Sequence, residues 1–338
     1  MQGLVFKRYF FLFFWSTILY FYSLINKFKL RYVIGIDCGA TKSEAIIMLA
    51  VPGALPELSG WGVTRLPAVN FNLLGFDSTK KRLIEIIKKA SSKVKIENVD
   101  CICIGISGAG FEKDRKKLQG EISKALRFKN IRIYPDTEIA FASIFDAGQK
   151  NCGILIAGTG TILYYRDSKK KMNKVGGWGR HFGDEGSGYW IAREALSKVT
   201  QCYDGRIANT SLLKILEREY NFSPASIVKE IYHNNFEISR ITKHVFEEAG
   251  KGDKISKSII KNAAKNLLHH FAPIGKKNRY KIALCGSLFS EEKLLEKYLR
   301  QLTKVTYPNI EFVKPLQTPV WGAVKMALIA SEARQSQF

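Results

Sequence analysis

The sequence predicts an α/β protein of two similar halves, each a mixed sheet with covering helices. Three observations carry this. A strand, a glycine-bearing turn and a return strand occur twice: Tyr32–Asp37, Cys38-Gly-Ala-Thr-Lys42 and Ser43–Val51, then Cys152–Ala157, Gly158-Thr-Gly-Thr161 and Ile162–Arg166. Their starts lie about 120 residues apart, which reads as an internal duplication of architecture. Behind each opening, apolar runs of strand length alternate with segments of helical period, the pattern of a mixed sheet with helices on its faces.

In the first half the elements follow in order. A third strand is expected over Gly60–Leu66, and a helix over Ser78–Ser91, whose Leu83, Ile84, Ile86, Ile87 and Ala90 form an apolar stripe. Then come a strand over Asp100–Ser107, a helix over Glu112–Leu126, a strand over Ile131–Tyr134 and a helix from Thr137. In the second half, residues 188 to about 278 read as helical. A strand at Lys281–Gly286, a helix at Glu291–Leu302, a strand at Glu311–Val313 and a helix at Pro319–Ala333 close the chain. Gly148 breaks the helix before it, so the halves are placed at 31–147 and 148–338.

With 338 residues, 46% of them hydrophobic, the chain can bury two cores and is not disordered. Its six cysteines have no regular spacing and include no CxxC, which excludes a disulfide framework and a zinc site. Cys101 and Cys103 would share one strand face as small apolar packing, and a reducing, cytoplasmic compartment is expected. The net charge of +23 is read as a lysine-rich surface. The lysines are spread over helices and loops, and the dense cluster Lys169-Lys170-Lys171 falls in an apparent hairpin turn, so no nucleic-acid partner is expected. Tyr9–Asn26 carries no charge over 18 residues and is flanked by cations, which reaches the lower bound for a membrane span. Residues 1–30 are therefore either an inner-membrane tether, the only route to membrane contact, or a stretch upstream of the true start; neither reading makes them necessary for catalysis.

Turns built on glycine and threonine leave backbone N–H groups open to phosphate oxygens, and two at equivalent places suggest two phosphate grips. Asp37, ending the first strand, is either a turn cap or a carboxylate for a hydrated Mg²⁺. The segment Gly176-Gly-Trp-Gly-Arg-His-Phe-Gly-Asp-Glu-Gly-Ser-Gly188 holds six glycines in 13 residues, which lets the main chain approach a ligand closely. Trp178 supplies a flat apolar face and Asp184 and Glu185 supply acceptors, a combination suited to a sugar. Asp136, at the start of a helix, is either its cap or a general base.

Four blocks, Ile34-Gly-Ile-Asp-Cys-Gly-Ala-Thr-Lys-Ser-Glu44, Tyr134-Pro-Asp-Thr137, Ala157-Gly-Thr-Gly-Thr161 and the glycine-rich segment, resemble the N-acetylglucosamine kinase branch of the BadF/BadG/BcrA/BcrD ATPase family, from Tyr32 to about Ala330. The resemblance implies two ribonuclease H-like, actin/hexokinase-type domains around a nucleotide cleft, with a helical insertion in the second. It implies ATP contacts at Thr41, at Gly158, Thr159, Gly160 and Thr161, and at Gly286 and Ser287, with Mg²⁺ near Asp37. It implies Asp136 as catalytic base, and sugar contacts at Asn70, Ser107, Gly108, Gly177, Trp178, Gly179 and Asp184. Cys38 and Ser287 depart from the family pattern, each standing where a glycine is common. The implied reaction is transfer of the ATP γ-phosphoryl group to the 6-hydroxyl of N-acetylglucosamine or a related amino sugar. That sugar is the expected partner, and a homodimer stays open. Two other functions occur on this fold. One is an ATPase that activates an electron-transfer enzyme, but its relatives hold an iron–sulfur cluster by cysteines and residues 176–193 contain none. The other is a non-catalytic sugar sensor, against which the intact Asp136 and both turns argue.

Overall fold

The strand-turn-strand openings do pair as hairpins, and each seeds a five-stranded sheet. The computed structural model describes residues 30–39, 42–50, 60–290 and 292–335. It divides into two units, 1–143 with 317–338, and 144–316. Residues 1–29 and Thr41, which carry sequence expectations, lie outside the described residues.

In the first unit β1 (Tyr32–Cys38) pairs antiparallel with β2 (Ser43–Leu49), and β2 with β3 (Gly60–Leu66). Helix α1 (Phe71–Ala90) leads to β4 (Val99–Ile106), parallel to β1. Helix α2 (Glu112–Leu126), β5 (Ile131–Pro135) and α3 (Asp136–Ile144) complete the alternation, and the sheet order is β3-β2-β1-β4-β5. All eight residues of β4 are buried, as befits a central parallel strand covered on both faces. On one face Ile34, Ile36, Ile102 and Ile104 meet Leu83, Ile87, Leu118 and Ile122 from α1 and α2. Helix α1 starts seven residues before the expected Ser78. Asn70 caps it by accepting from Asn72 N–H at 3.0 Å, and Gly75, at φ 70°, kinks it after the first turn. The kink interrupts the apolar period, so the first turn does not read as helix.

The second unit repeats this plan. Strands β6 (Cys152–Ala157), β7 (Thr161–Arg166) and β8 (Met172–Gly176) form an antiparallel meander. Five helices follow: α4 (Gly188–Tyr203), α5 (Ser211–Tyr220), α6 (Ile227–Tyr232), α7 (Thr242–Lys251) and α8 (Lys254–His269). Then β9 (Tyr280–Cys285) adds parallel to β6, α9 (Ser287–Ser290) and α10 (Lys293–Thr306) follow, and β10 (Ile310–Val313) adds parallel to β9. Counted from the opening strand of each unit, β8-β7-β6-β9-β10 is the same order as β3-β2-β1-β4-β5. Internal duplication is thus written in the topology. Strand β8 is an element the sequence reading left inside a loop, because its five residues are glycine- and lysine-containing and only half-buried.

The last helix, α11 (Pro319–Gln335), corrects the expected boundary, since residues 317–338 belong with the first unit and not with 148–316. Its Val320, Ala323, Val324 and Ala327 pack on Val33, Met48, Cys101 and Cys103, on the sheet face opposite α1 and α2. Two glycines permit the approach: a Cβ on Gly35 would lie 2.5 Å from Val324 N, and one on Gly322 would overlap the Ile139 carbonyl. Ser331 donates to Asp100 at 2.9 Å, and Asp100 also pairs with Arg31. Among the described residues no helix is long and apolar enough to cross a membrane.

Candidate active site

The first unit gathers five of the predicted residues where β1, β4 and β5 end. Parallel strands discharge their loops at one edge of a sheet, so Asp37 from β1, Ser107 and Gly108 after β4, and Asp136 after β5 converge there. Asn70 joins them through a parallel bridge to Ser107, with Phe71 N–H donating to the Ser107 carbonyl at 2.9 Å and Ser107 N–H to the Cys38 carbonyl at 3.0 Å. Gly108 adopts φ 77°, and a side chain there would press on Asn70 Oδ1 at 2.7 Å.

Asp136 accepts hydrogen bonds from Thr137 N–H, at 2.8 Å, and from the Ser107 hydroxyl. Burial pushes its carboxyl above the ordinary value despite these bonds. Asp37 goes further: burial first, then the Asp136 and Glu44 carboxylates, raise it to about 7, with Lys42 pulling the other way. Those charges act on Asp37 without closing a metal-binding cluster, for among the described residues no three acidic, histidine or cysteine side chains are grouped to hold a metal ion. One positioning group was not foreseen from sequence. Arg115 donates to the carbonyls of Ala109 (2.6 Å) and Gly110 (2.8 Å), holding the loop that carries Gly108, and lies near Glu138, itself raised by burial. An arginine on an otherwise ordinary amphipathic helix gave no signal of this.

The second unit builds its cluster around the β6–β7 turn. Gly158 N–H donates to the Gly160 carbonyl at 3.0 Å, and the start of α4 clamps the turn through Gly188 N–H to Gly158 O (2.8 Å) and Tyr189 N–H to Thr159 O (3.3 Å). Ser187 caps α4 by accepting from Trp190 N–H at 3.1 Å. At the end of β9, Gly286 takes φ 97°, and a Cβ there would overlap the Ala157 carbonyl. Its neighbour Ser287 places Oγ 3.7 Å from where a Gly158 Cβ would be. Gly158, Gly286 and Ser287 therefore meet at one strand-end edge.

The glycine-rich segment folds back on this turn. Gly177 N–H donates to Thr161 O at 2.9 Å, and Gly176, Gly177 and Gly179 all take positive φ. Trp178 stays 65% exposed with the Lys174 ammonium 5.3 Å from its ring centre. Asp184 departs from the open sugar-facing acceptor that the sequence suggests. It is only 9% exposed, adopts φ 58°, and accepts from Thr161 N–H at 3.1 Å; its carboxylate fills the space that a Gly160 side chain would occupy. Thr161 Oγ1 in turn donates to the Glu185 carbonyl at 3.2 Å. The left-handed backbone at Asp184 turns its side chain inward, a feature no sequence period carries. Behind the loop stands His270, 5% exposed, its Nδ1 on Asn266 O at 3.1 Å and its Nε2 without a partner, held below its usual pKa by burial. Gly176 passes so close that a side chain there would lie 2.6 Å from Nε2.

A five-strand order repeated in two units, with a glycine turn after the first strand of each, defines a protein of the actin/hexokinase-type fold. The chain belongs to the BadF/BadG/BcrA/BcrD ATPase family, which it matches over residues 34–327. It is 28% identical over 309 residues to the N-acetylmuramic acid/N-acetylglucosamine kinase of Clostridium acetobutylicum, covering 88% of this chain and 98% of the relative. It is 27% identical to the N-acetyl-D-glucosamine kinase of Dictyostelium discoideum, over 87% of this chain and 97% of that one. Among solved structures it resembles a Chromobacterium violaceum protein described provisionally as an N-acetylglucosamine kinase, with TM-score 0.70, 19% identity, and coverage of 89% of this chain and 99% of the other.

Proposed function

We propose that the protein is an ATP-dependent kinase that phosphorylates the 6-hydroxyl of N-acetylglucosamine or a closely related amino sugar. The observation that carries it is Asp136: a carboxylate raised by burial, oriented by Ser107 and Thr137, beside Asn70 and Gly108. Both full-length kinase relatives support the same chemistry.

The 6-hydroxyl attacks the γ-phosphorus while the terminal P–O bond to ADP breaks, and the hydroxyl proton passes to an Asp136 oxygen. Phosphoryl transfer asks the protein mainly for position and charge neutralisation. Gly158, Thr159, Gly160 and Thr161, with Gly286 and Ser287, are assigned to ATP, together with Thr41. Asn70, Ser107, Gly108, Gly177, Trp178 and Gly179 are assigned to the sugar. Asp184 is assigned to bracing the turn through Thr161 N–H, which makes its contribution to the sugar indirect. Asp37 suits a magnesium ion that keeps most of its waters, because a single raised carboxylate with Asp136 and Glu44 nearby gains from a divalent charge. Such an ion, when bound, neutralises phosphate charge. ATP and six free cysteines fit a cytoplasmic enzyme.

A coupled ATP-consumption assay across amino sugars tests the reading, with Asp136→Asn as control. The amide keeps an oxygen for Thr137 N–H but cannot take the proton, so turnover should fall by roughly 10²–10⁴-fold with sugar affinity retained. Near-normal turnover in that variant would leave Asp136 a helix cap.

A further inference from the structure

The main chain that carries Asn70 and Gly108 is held by bonds from the sheet and from the helices over it. Ser43 Oγ donates to the Pro67 carbonyl at 2.9 Å and Val69 N–H to the Gly39 carbonyl at 3.1 Å, which ties the approach to Asn70 to β2 and to the turn after β1. Between these two, the Ala68 carbonyl accepts from Arg82 Nη1, in the middle of α1, at 2.7 Å. Asn70 then joins Ser107 by the parallel bridge, and beyond Gly108 the carbonyls of Ala109 and Gly110 accept from Arg115 Nη1 at 2.6 and 2.8 Å. Two guanidinium groups from two helices thus grip the main chain on either side of the Asn70–Ser107 bridge.

Neither arginine is explained by its own helix. Arg115 is the fourth residue of α2, where a cation opposes the helix dipole, and the cap residue Phe111 makes no side-chain cap bond. Arg82 is half-buried and reaches back 14 residues along the chain. The bonds are short and charge-assisted, and Arg115 Nη1 serves two carbonyls at once, which the planar fork of a guanidinium allows. Arg115 also stands near Glu138, in the first turn of the helix that opens on Asp136. The fit of Asn70 against Gly108 is tight: a side chain at Gly108 would lie 2.7 Å from Asn70 Oδ1, so a small shift of either segment disturbs both.

We propose that Arg82 and Arg115 are positioning residues of the sugar site, which set its affinity by fixing the main chain at Asn70 and Gly108 and do not touch the sugar themselves. The inference deepens the kinase reading and rests on it. Alignment of a bound hydroxyl tolerates little error, since a misplacement of about 1 Å can cost roughly 10²-fold.

Steady-state kinetics of the full chain with ATP and N-acetylglucosamine test it. Arg82→Ala and Arg115→Ala should each raise the sugar KM by about tenfold and leave the ATP KM unchanged. Guanidinium ion at low millimolar concentration should bring the sugar KM of each variant back toward the wild-type value by refilling the vacated place, and sodium chloride at equal ionic strength should not. A variant that is merely destabilised responds with the opposite sign, because guanidinium favours the unfolded chain. An unchanged sugar KM in a variant overturns that arginine's role, and so does a rise shared with the ATP KM or left unrelieved by guanidinium. If circular dichroism shows Arg115→Ala misfolded, Arg82→Ala decides alone. Wild-type turnover checks the kinase reading separately: should the wild type phosphorylate no amino sugar, that reading falls, and amide hydrogen exchange replaces the kinetics. Faster exchange over residues 68–72 and 107–110 in the variants, slowed again by guanidinium, then sustains the positioning role, and exchange equal to that of the wild type overturns it.

Discussion

Asp37 shows how a single residue carries both a cost and a use. In the ion-free fold it ionises near pH 7, whereas in the unfolded chain it ionises near its ordinary 3.8. Because the folded state holds the proton more tightly, no penalty exists below the lower value. It grows as pH rises through this window and is complete above about 7. Asp37→Asn should therefore stabilise the apoprotein by on the order of 2–4 kcal/mol at pH 8 and hardly at all near pH 4. Denaturant unfolding in EDTA at the two pH values is the measurement, and equal stabilisation at both would assign the gain to some other cause. The same variant should lose activity, and raising Mg²⁺ should shift the acid limb of the wild-type rate profile to lower pH. Asp37 was legible in the sequence as a candidate because it ends a strand before a glycine turn. Its raised pKa was not, since that depends first on burial in the packed chain and then on Asp136 and Glu44, one of them 99 residues away.

At the scale of elements, the informative pair is the 158–161 turn and the glycine-rich loop folded on it. The sequence showed the glycines and their proximity to a helix start, and hence that something approaches closely. It did not show that Asp184 reaches back 23 residues to Thr161 N–H. That contact predicts that Asp184→Asn raises the apparent KM for ATP at least as much as that for sugar, because the amide nitrogen competes for the position facing an N–H donor. A change confined to the sugar KM would return Asp184 to the sugar site. Trp178→Ala, at an exposed ring with the Lys174 ammonium over it, should act on the sugar KM with ATP unchanged. Both are read from steady-state kinetics with each substrate varied in turn.

Over the whole molecule, chain order and packing order part company at the C-terminus. Helix α11 follows β10 in sequence but covers the outer face of β1 and β4. A fully buried aliphatic side chain contributes about 1.5–3 kcal/mol, and α11 buries Val320 and Val324 with three alanines while sheltering Val33, Met48, Cys101 and Cys103. A chain ending at Leu316 should thus lose on the order of 5 kcal/mol, the scale of a domain's entire stability. Thermal unfolding followed by near-ultraviolet circular dichroism should show the loss of cooperative structure. A truncated chain with an unchanged melting temperature would mean that the helix is an ornament on an already closed core.

What the sequence determined by itself were the features fixed by local chemistry: apolar runs of strand length for nine of the ten strands, all but β8, and glycine turns at Gly39 and Gly158. Those depend on neighbours a few residues apart, so a linear reading recovers them. Only the tertiary structure decided which face of β1 the last helix covers, that Asp184 points into the turn, and that His270 backs the loop. Each of those joins positions far apart in sequence. The physical reason is that burial and hydrogen-bond partnership belong to the packed chain, and no periodicity within one segment encodes what another segment will set against it.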